Sequence, residues 1–174
     1  MNVSFLASDL GKWDALEGAP ETLVLPFFSD ERPLHGAAGL CDWRLCGRLS
    51  RLLRSARVAG KWGETTLYPP LVAGARRLPF QRLMLVGLGA ADGFDEKSAR
   101  EVSRVIVDKM TRLGPTGPTA RTRYALVPPG RSTGRLSARR ALEIYLDEAR
   151  GDGELLVVES VAGQKEAAEL TRSR

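Results

Sequence analysis

Two hydrophobic periods alternate along this chain, one typical of strands and the other of helices. Short runs that are continuously apolar or rich in β-branched and aromatic residues predict strands at 3–7, 21–28, 65–68, 83–89, 123–127 and 154–159. Pro26 lies in the second run and predicts either a sheet edge or a strand end, because proline cannot donate to the ladder. The run at 83–89 has no polar alternation, which is typical of a strand covered on both faces.

Helical spacing of apolar residues appears between these runs. A long helix is predicted over 36–59, where one face is apolar. Asp95 is a suitable N-cap for a second helix that ends at Gly114, and its apolar stripe consists of Ala99, Val102, Ile106, Met110 and Leu113. Further helices are predicted from about 137 to 150 and, more briefly, over 164–170.

This order of elements bounds the architecture. Strands that alternate with helices and are buried on both faces predict an α/β fold, a three-layer α/β/α sandwich. A chain of 174 residues with 43% hydrophobic residues can bury one ordinary core. We therefore expect one domain over 1–174, with a frayed tail at 170–174.

The basic residues are concentrated in two regions of a chain whose net charge is +5. The first region, here called the basic surface, consists of Arg44, Arg48, Arg51, Arg54, Arg57 and Lys61. The second, 121–140, holds six arginines and no acid. If the two adjoin in space, they could neutralise several phosphates of a nucleic acid. The alternatives for the basic surface are a solvated helix face and a contact with the acids of a protein partner.

Cysteine usage and hydropathy bear on the compartment. Cys41 and Cys46 are five residues apart, which on a helix turns them away from each other and disfavours a disulfide. No window approaches the ~18 apolar residues of a membrane span. We expect a cytoplasmic protein with no membrane contact.

A family resemblance is carried by four segments. They read Leu25-Pro26-Phe27-Phe28-Ser29-Asp30-Glu31-Arg32-Pro33-Leu34, Gly60-Lys61-Trp62-Gly63-Glu64-Thr65-Thr66-Leu67-Tyr68, Arg82-Leu83-Met84-Leu85-Val86-Gly87-Leu88-Gly89 and Phe94-Asp95-Glu96. In this order they resemble the N-terminal domain of cytosolic leucyl aminopeptidases. The resemblance implies a macro-domain-like fold with a mixed, mostly parallel sheet between helices.

The same resemblance argues against catalysis by this chain. In that family a separate C-terminal domain holds a two-metal centre, within segments similar to Thr-Phe-Asp-Ser-Gly-Gly and Asn-Thr-Asp-Ala-Glu-Gly-Arg-Leu, and neither string occurs here. We expect no catalytic residue, no metal site and no cofactor. The single histidine, His35, is interpreted as a solvent-exposed or helix-capping residue.

Macro domains bind ADP-ribose in loops at the carboxyl ends of their strands, and two loops here fall at such places. The first contains Gly87 and Gly89, although Asp92 stands where a dinucleotide fingerprint has its third glycine. The second contains Gly130, Ser132, Thr133 and Gly134, whose N–H and hydroxyl groups could cradle a phosphate. Tight-turn chemistry is the alternative for both loops.

Trp43 and Trp62 are next in sequence to Arg44 and Lys61, two members of the basic surface. Core packing is the ordinary role of such residues, and tryptophan with arginine is also typical of protein interfaces. The sequence thus favours a non-catalytic interaction or oligomerisation module that binds itself or an aminopeptidase subunit. The alternatives are a fragment or split subunit of a two-metal aminopeptidase, and a module that binds DNA or ADP-ribose.

Overall fold

The computed structural model describes residues 1–69, 71–72, 75–114, 122–149 and 152–172. The strands are β1 (Asn2–Ala7), β2 (Thr22–Phe27), β3 (Thr65–Tyr68), β4 (Leu71–Val72), β5 (Ala75–Arg76), β6 (Arg82–Gly87), β7 (Thr122–Leu126) and β8 (Gly153–Glu159). The helices are α1 (Leu10–Asp14), α2 (Gly36–Arg44), α3 (Arg48–Arg54), α4 (Glu96–Leu113), α5 (Ala138–Glu148) and α6 (Val161–Arg172).

The main sheet has the strand order β1-β8-β7-β2-β6-β3. Every neighbouring pair is parallel except β3 with β6, which is antiparallel. The predicted mixed, mostly parallel sheet is therefore confirmed. Because these four parallel pairs make five strands run the same way, the loops after β1, β2, β6, β7 and β8 gather at one edge, where α/β folds place their ligands.

Two hydrophobic clusters cover the two faces of this sheet. One joins α4, α5 and α6 to side chains such as Val24, Met84 and Leu126. The other joins α1, α2 and α3 to side chains such as Leu23, Leu85 and Val158. The side chains of adjacent strand residues point to opposite faces, so Leu23 and Val24 pack in different clusters. This arrangement is the predicted three-layer α/β/α sandwich.

The prediction for Pro26 is half right. The strand that contains it, β2, lies inside the sheet between β7 and β6, so the predicted edge position is wrong. Its pairing with β7 ends at Val24, two residues before Pro26, while pairing with β6 continues to Phe27. Pro26 therefore lies at a strand end on the β7 side, where no ladder bond requires its missing N–H.

The single helix predicted over 36–59 is wrong, because the chain breaks it into α2 and α3. Cys46 and Gly47 both have positive φ, at 55° and 73°. The Gly47 N–H donates to the Asp42 carbonyl at 2.8 Å and the Cys46 N–H to the Trp43 carbonyl at 3.0 Å, the two bonds of a Schellman motif. The Asp42 carboxylate then caps α3 by accepting from the Ser50 N–H at 3.0 Å. The apolar spacing continues across the break, so the periodicity alone does not reveal it.

The other helices follow their predicted signals more closely. Asp95 caps α4 by accepting from the Ser98 N–H at 2.8 Å, and Gly114 ends it. Ser137 caps α5, and the predicted end of that helix at Arg150 lies outside the described residues. The last helix, α6, extends through Arg172, so the tail predicted to fray from 170 is ordered over 170–172, and 173–174 lie outside the described residues.

Two short features have no counterpart in the prediction. One is α1, which places Trp13 in the core at 1% exposure and is capped by Asp9. The other is the β4–β5 hairpin, which pairs Leu71 with Arg76 and is separate from the main sheet. The helix α1 has five residues and each strand of the hairpin has two, so no period repeats often enough within them to be recognised.

Candidate functional site

A buried carboxylate occupies the carboxyl edge of the sheet, in the loop after β2. Glu31 is only 4% exposed and accepts hydrogen bonds from the Phe28 N–H at 3.3 Å and the His35 N–H at 2.9 Å. The Ser132 hydroxyl, in the loop after β7, donates to it at 2.7 Å. A buried carboxylate is stable only with such donors. Glu31 therefore ties the loop after β2 to the loop after β7.

A second internal carboxylate lies at the end of β8. Arg131 donates to Glu159 through two nitrogens, at 2.7 and 3.3 Å, and to the Leu136 carbonyl at 2.6 Å. Both side chains of this pair are largely buried. The guanidinium of the second glycine loop is thus engaged by the chain's own carboxylate and by its own backbone.

The first glycine loop is built by close backbone packing. A Cβ on Gly87 would overlap the Lys61 carbonyl oxygen, so only glycine fits there. Gly89 has a φ of 70°, donates to the Gly60 carbonyl at 3.0 Å and accepts from the Ser29 N–H at 2.7 Å. The N–H of Ala91, further along the loop, donates to the Asp30 carboxylate at 3.0 Å. These bonds are those of a tight turn, which was the alternative to anion binding for this loop.

The second glycine loop is also closed by internal contacts. Gly130 has a φ of 82°, and a Cβ there would lie 2.7 Å from the Phe94 ring. The Gly134 N–H donates to the Arg131 carbonyl at 3.1 Å, which forms a turn. Ser132 bonds to Glu31, and Thr133 is exposed to solvent. Anion binding by these residues stays a prediction, and it would have to compete with a carboxylate that is already in place.

The cleft beside the second glycine loop is small. It has a volume of about 120 Å³ and lies at the carboxyl ends of β2, β7 and β8, against the first turn of α2. Its polar lining consists of Ser8, His35, Arg131, Ser132, Glu159 and Ser160. Ligand pockets for drug-sized molecules usually measure about 300–1,000 Å³, so the described cleft is smaller than a site for a dinucleotide.

The basic surface is divided by the break between α2 and α3. Arg44 lies on α2 and forms an ion pair with Asp14 at 2.5 Å, whereas Arg51 lies on α3 and donates to the Cys46 carbonyl at 3.3 Å. Four of its members are exposed, namely Arg51, Arg54, Arg57 and Lys61, and Arg44 and Arg48 are partly buried. Because the helix predicted over 36–59 is broken, the basic surface does not lie along one helix, although its exposed members form a cationic patch.

The second basic region does not extend this patch. Its described arginines are all in ion pairs: Arg123 with Glu154, Arg131 with Glu159, Arg135 with Asp92, Arg139 with Glu169, and Arg140 with Glu96 and Glu143. Arg121 lies outside the described residues. Arg139 and Arg140 are on α5, which packs on the sheet face opposite to α2 and α3. The two regions thus do not form one basic surface.

The core role expected for Trp43 and Trp62 is wrong. Trp43 is 71% exposed on α2, and Trp62 is 45% exposed with its ring 6.5 Å from that of Phe94. The tryptophan of the core is Trp13, whose indole N–H donates to the Ala7 carbonyl at 2.8 Å. Surface tryptophans next to arginines form the composition that protein interfaces favour.

No described group of three His, Cys, Asp or Glu side chains is arranged to hold a metal ion. The imidazole of His35 is exposed and lies 3.5 Å from the Glu31 carboxylate. His35 occupies the N-cap position of α2 without making a side-chain cap bond, so the capping alternative is wrong.

Cys41 is a buried thiol whose pKa is raised by burial, and Cys46 is an exposed thiol. None of the helices in the described ranges is long and apolar enough to cross a membrane.

Sequence reasoning missed Glu31 and Glu159, the two carboxylates that organise the loops. Both follow or end a strand, and Ser29-Asp30-Glu31 directly after β2 was the available signal. A carboxylate at the end of a buried parallel strand has no water to face on either side, so it must find donors in neighbouring loops. The identity of those donors depends on which strands are neighbours.

Comparisons with known structures place the fold. The macrodomain of Thermus aquaticus DarG is similar, with a TM-score of 0.59 and 16% identity over 90% of this chain and 97% of that chain. A macrodomain mutant of Oceanobacillus iheyensis gives a TM-score of 0.61 with 12% identity over 88% of this chain and 81% of that one. A tomato leucine aminopeptidase mutant gives 0.54 with 15% identity, covering 99% of this chain and 36% of that chain.

Comparisons of sequence define the family. The N-terminal domain of the cytosol aminopeptidase family matches residues 24–116. A probable cytosol aminopeptidase of Burkholderia orbicola is 33% identical over 106 residues, which are 59% of this chain and 20% of that protein. That of Burkholderia multivorans is 35% identical over 101 residues, 56% of this chain and 19% of that protein. The chain spans about a fifth of the length of these relatives. It belongs to the cytosol aminopeptidase family and carries the family's N-terminal domain, with a macrodomain-like fold.

Proposed function

We propose that this chain is a cytoplasmic interaction module that binds a protein partner through the α2–α3 side of the sandwich and performs no catalysis by itself. The observation that carries the proposal is Trp43, which is 71% exposed on α2. A tryptophan so exposed presents a large apolar area to solvent, and at interfaces such residues supply much of the binding energy.

The arginines around Trp43 support a protein partner. Arg51 donates to the Cys46 carbonyl, and the Cys46 N–H donates to the Trp43 carbonyl, so the helix break holds arginine and tryptophan close together. Arg54 and Arg57 follow on the exposed side. Arginine pairs bidentately with carboxylates, so an acidic surface of a partner would complement this patch.

The partner proposed here is either a second copy of the chain or the subunit of a full-length cytosol aminopeptidase. Sedimentation velocity of the chain alone, and then mixed with a full-length cytosol aminopeptidase of the same organism, separates these two cases. Trp43→Ala should weaken the association at least tenfold, because hot-spot tryptophans contribute about 2 kcal/mol or more. The matched control is Val161→Ala, which truncates an exposed apolar residue on α6.

The arginines are tested by charge reversal. Arg54→Glu combined with Arg57→Glu should abolish the same association, whereas Lys97→Glu combined with Lys165→Glu changes the net charge equally at exposed positions of α4 and α6. Equal effects of the two double variants would reduce the role of the patch to net charge and would contradict the proposal. A chain that remains monomeric and ignores the aminopeptidase would contradict it as well.

Catalysis is tested separately. Purified chain with Mn²⁺ or Zn²⁺ and leucine amide should release no product, and turnover that a chelator abolishes would contradict the non-catalytic proposal. The split-subunit alternative rests on family membership. If the chain is a split subunit, hydrolysis should appear or increase when a catalytic chain is added. Family membership alone does not distinguish a split subunit from a non-catalytic module.

Nucleic acid is the other candidate partner of the exposed cations Arg51, Arg54, Arg57 and Lys61. Duplex DNA binding should weaken steeply as salt rises and should be lost when Arg48, Arg51 and Arg54 become Glu.

ADP-ribose binding at the glycine loops should raise the melting temperature by ligand linkage. If both effects are absent, the protein partner is the remaining proposal.

A further inference from the structure

The antiparallel edge strand β3 carries a second surface, separate from α2 and α3. On one side β3 pairs with β6, with Leu67 opposite Met84. On its other side, no described strand pairs with it. An open edge presents unpaired backbone groups that can accept an added strand, and most proteins protect such edges.

The register shows which backbone groups point outward. The Gly87 N–H donates to the Glu64 carbonyl at 2.8 Å, so position 64 faces β6. Backbone groups alternate along an antiparallel strand, which turns those of Thr66 and Tyr68 towards β6 and those of Thr65 and Leu67 away from it. Pro69 follows at the next outward position and offers no N–H. The available edge is therefore short, with two outward residues.

A groove accompanies this edge on the face covered by α4. It has a volume of about 390 Å³ and lies between β3 and the last turns of α4. Its apolar lining consists of Leu67, Met84 and Leu113, and Leu67 is 47% exposed. An exposed leucine on an edge strand, beside an apolar groove, is a feature that soluble proteins usually avoid unless the surface is used.

The polar lining of the groove is cationic. Lys109 and Arg112 line it from α4. Arg112 forms an exposed pair with Asp108 at 2.9 Å, and within the described ranges no carboxylate pairs with Lys109. A ligand strand laid along β3 would therefore place one of its side chains over the apolar lining and another near these two cations.

We propose that β3 accepts an extended acidic segment of a partner protein as an additional strand, with an apolar side chain in the groove and a carboxylate against Lys109 and Arg112. Residues two positions apart on a strand point to the same face. The recognised pattern is therefore an apolar residue and an acidic residue separated by one position. Main-chain hydrogen bonds to Thr65 and Leu67 supply the affinity, and the groove supplies the specificity.

A second copy of this chain fits the edge less well. Antiparallel pairing of β3 with β3, around a two-fold axis perpendicular to the sheet, would put both α4 helices on the same face of the joined sheet. The Lys109 and Arg112 side chains of both copies would then flank one seam, and like charges across an interface oppose association. Charge complementarity thus favours the acidic segment.

The test uses the full chain and two peptides with blocked ends. The acidic peptide reads Thr-Val-Thr-Leu-Thr-Glu-Thr, so that leucine and glutamate lie on one face, and the control peptide has lysine in place of glutamate. Amide chemical shifts in ¹⁵N spectra should change on β3 and the last turns of α4 with the acidic peptide only. Equal binding of the two peptides, or shifts confined to other elements, would overturn the proposal.

Two variants separate the backbone from the charge. Leu67→Pro removes an outward N–H and spares the ladder to β6, and it should weaken binding about two- to tenfold, as expected for one hydrogen bond, relative to Leu67→Val, which keeps the N–H. Lys109→Glu should reverse the preference towards the lysine peptide, and this readout does not depend on whether Leu67→Pro folds. Unchanged preference in Lys109→Glu would overturn the proposal.

Self-association is the remaining outcome. If the chain dimerises and Leu67→Pro makes it monomeric, the edge pairs with a second copy and the acidic segment is the wrong occupant. The Trp43→Ala variant should bind the acidic peptide normally, since Trp43 lies on α2, remote in sequence and on another face. If no partner binds through α2 and α3, the proposal that β3 accepts an acidic strand would therefore still stand.

Discussion

The Ser132 hydroxyl donates a 2.7 Å hydrogen bond to the carboxylate of Glu31, 101 positions earlier in the chain. This bond joins the loops that follow the neighbouring strands β2 and β7, at the carboxyl edge of the sheet, where α/β folds place their ligands. In this chain an internal carboxylate satisfies donors there. The loops are thus held by the protein itself, and the surfaces that we propose for partners lie elsewhere, on α2 and α3 and along β3.

The first prediction concerns Glu31. Replacing it with Ala leaves the Phe28 N–H, the His35 N–H and the Ser132 hydroxyl without their acceptor, so we expect the free energy of unfolding to fall by about 2–4 kcal/mol. Urea denaturation followed by tryptophan fluorescence measures it. Glu17→Ala, at an exposed position, should change stability by less than about 0.5 kcal/mol. Similar losses in both variants would contradict the role of Glu31.

The second prediction concerns acid stability. The hydrogen bond from the Ser98 N–H lowers the pKa of Asp95, the N-cap of α4. A group whose folded pKa is lowered contributes stability above its unfolded pKa, about 3.9, and this contribution is lost as the pH falls through the folded value. Asp95→Asn keeps a capping side chain without this ionisation. Its deficit in melting temperature relative to the wild type should therefore shrink between pH 7 and about pH 3.

The control for Asp95 is Asp92→Asn, because the Asp92 side chain is fully exposed. Its melting temperature should follow that of the wild type across the same pH range. A deficit of Asp95→Asn that is constant with pH would show that the charge of Asp95 does not contribute to the stability of α4.

The third prediction contrasts two glycines. Gly87→Ala should cost more than about 2 kcal/mol, because its Cβ would overlap the Lys61 carbonyl and push β6 away from the segment before β3. Gly47→Ala should cost only about 1 kcal/mol, because its Cβ meets no atom and the penalty is its φ of 73°. Thermal unfolding of both variants measures the difference. Equal losses would mean that close packing does not decide position 87.

The fourth prediction concerns two buried phenols. The hydroxyls of Tyr124 on β7 and Tyr145 on α5 are hydrogen-bonded to each other, and burial raises the pKa of both. Each single change to Phe should cost about 1–3 kcal/mol, since it leaves the other hydroxyl buried without a partner. The double variant should be less destabilised than the sum of the two, which a double-mutant cycle in urea would measure. Strict additivity would contradict this coupling.

Local signals in the sequence predicted most of the fold. For α4, the Asp95 cap, the apolar stripe and the Gly114 stop all lie within the segment itself, and the helix forms as predicted. The break between α2 and α3 was missed because the apolar spacing continues across it. It depends on the left-handed conformations of Cys46 and Gly47 and on the Asp42 cap, which a periodicity does not contain.

The sequence by itself determined the alternation of strands and helices, the α/β class and the family, because hydrophobic periods, caps and turn residues act over a few positions. The tertiary structure decided which arginines are paired, that Trp13 rather than Trp43 is buried, and that Glu31 meets Ser132. Those outcomes depend on which strands become neighbours and which sheet face each helix covers. Contacts between residues so far apart in the chain are fixed only when the whole sheet has assembled.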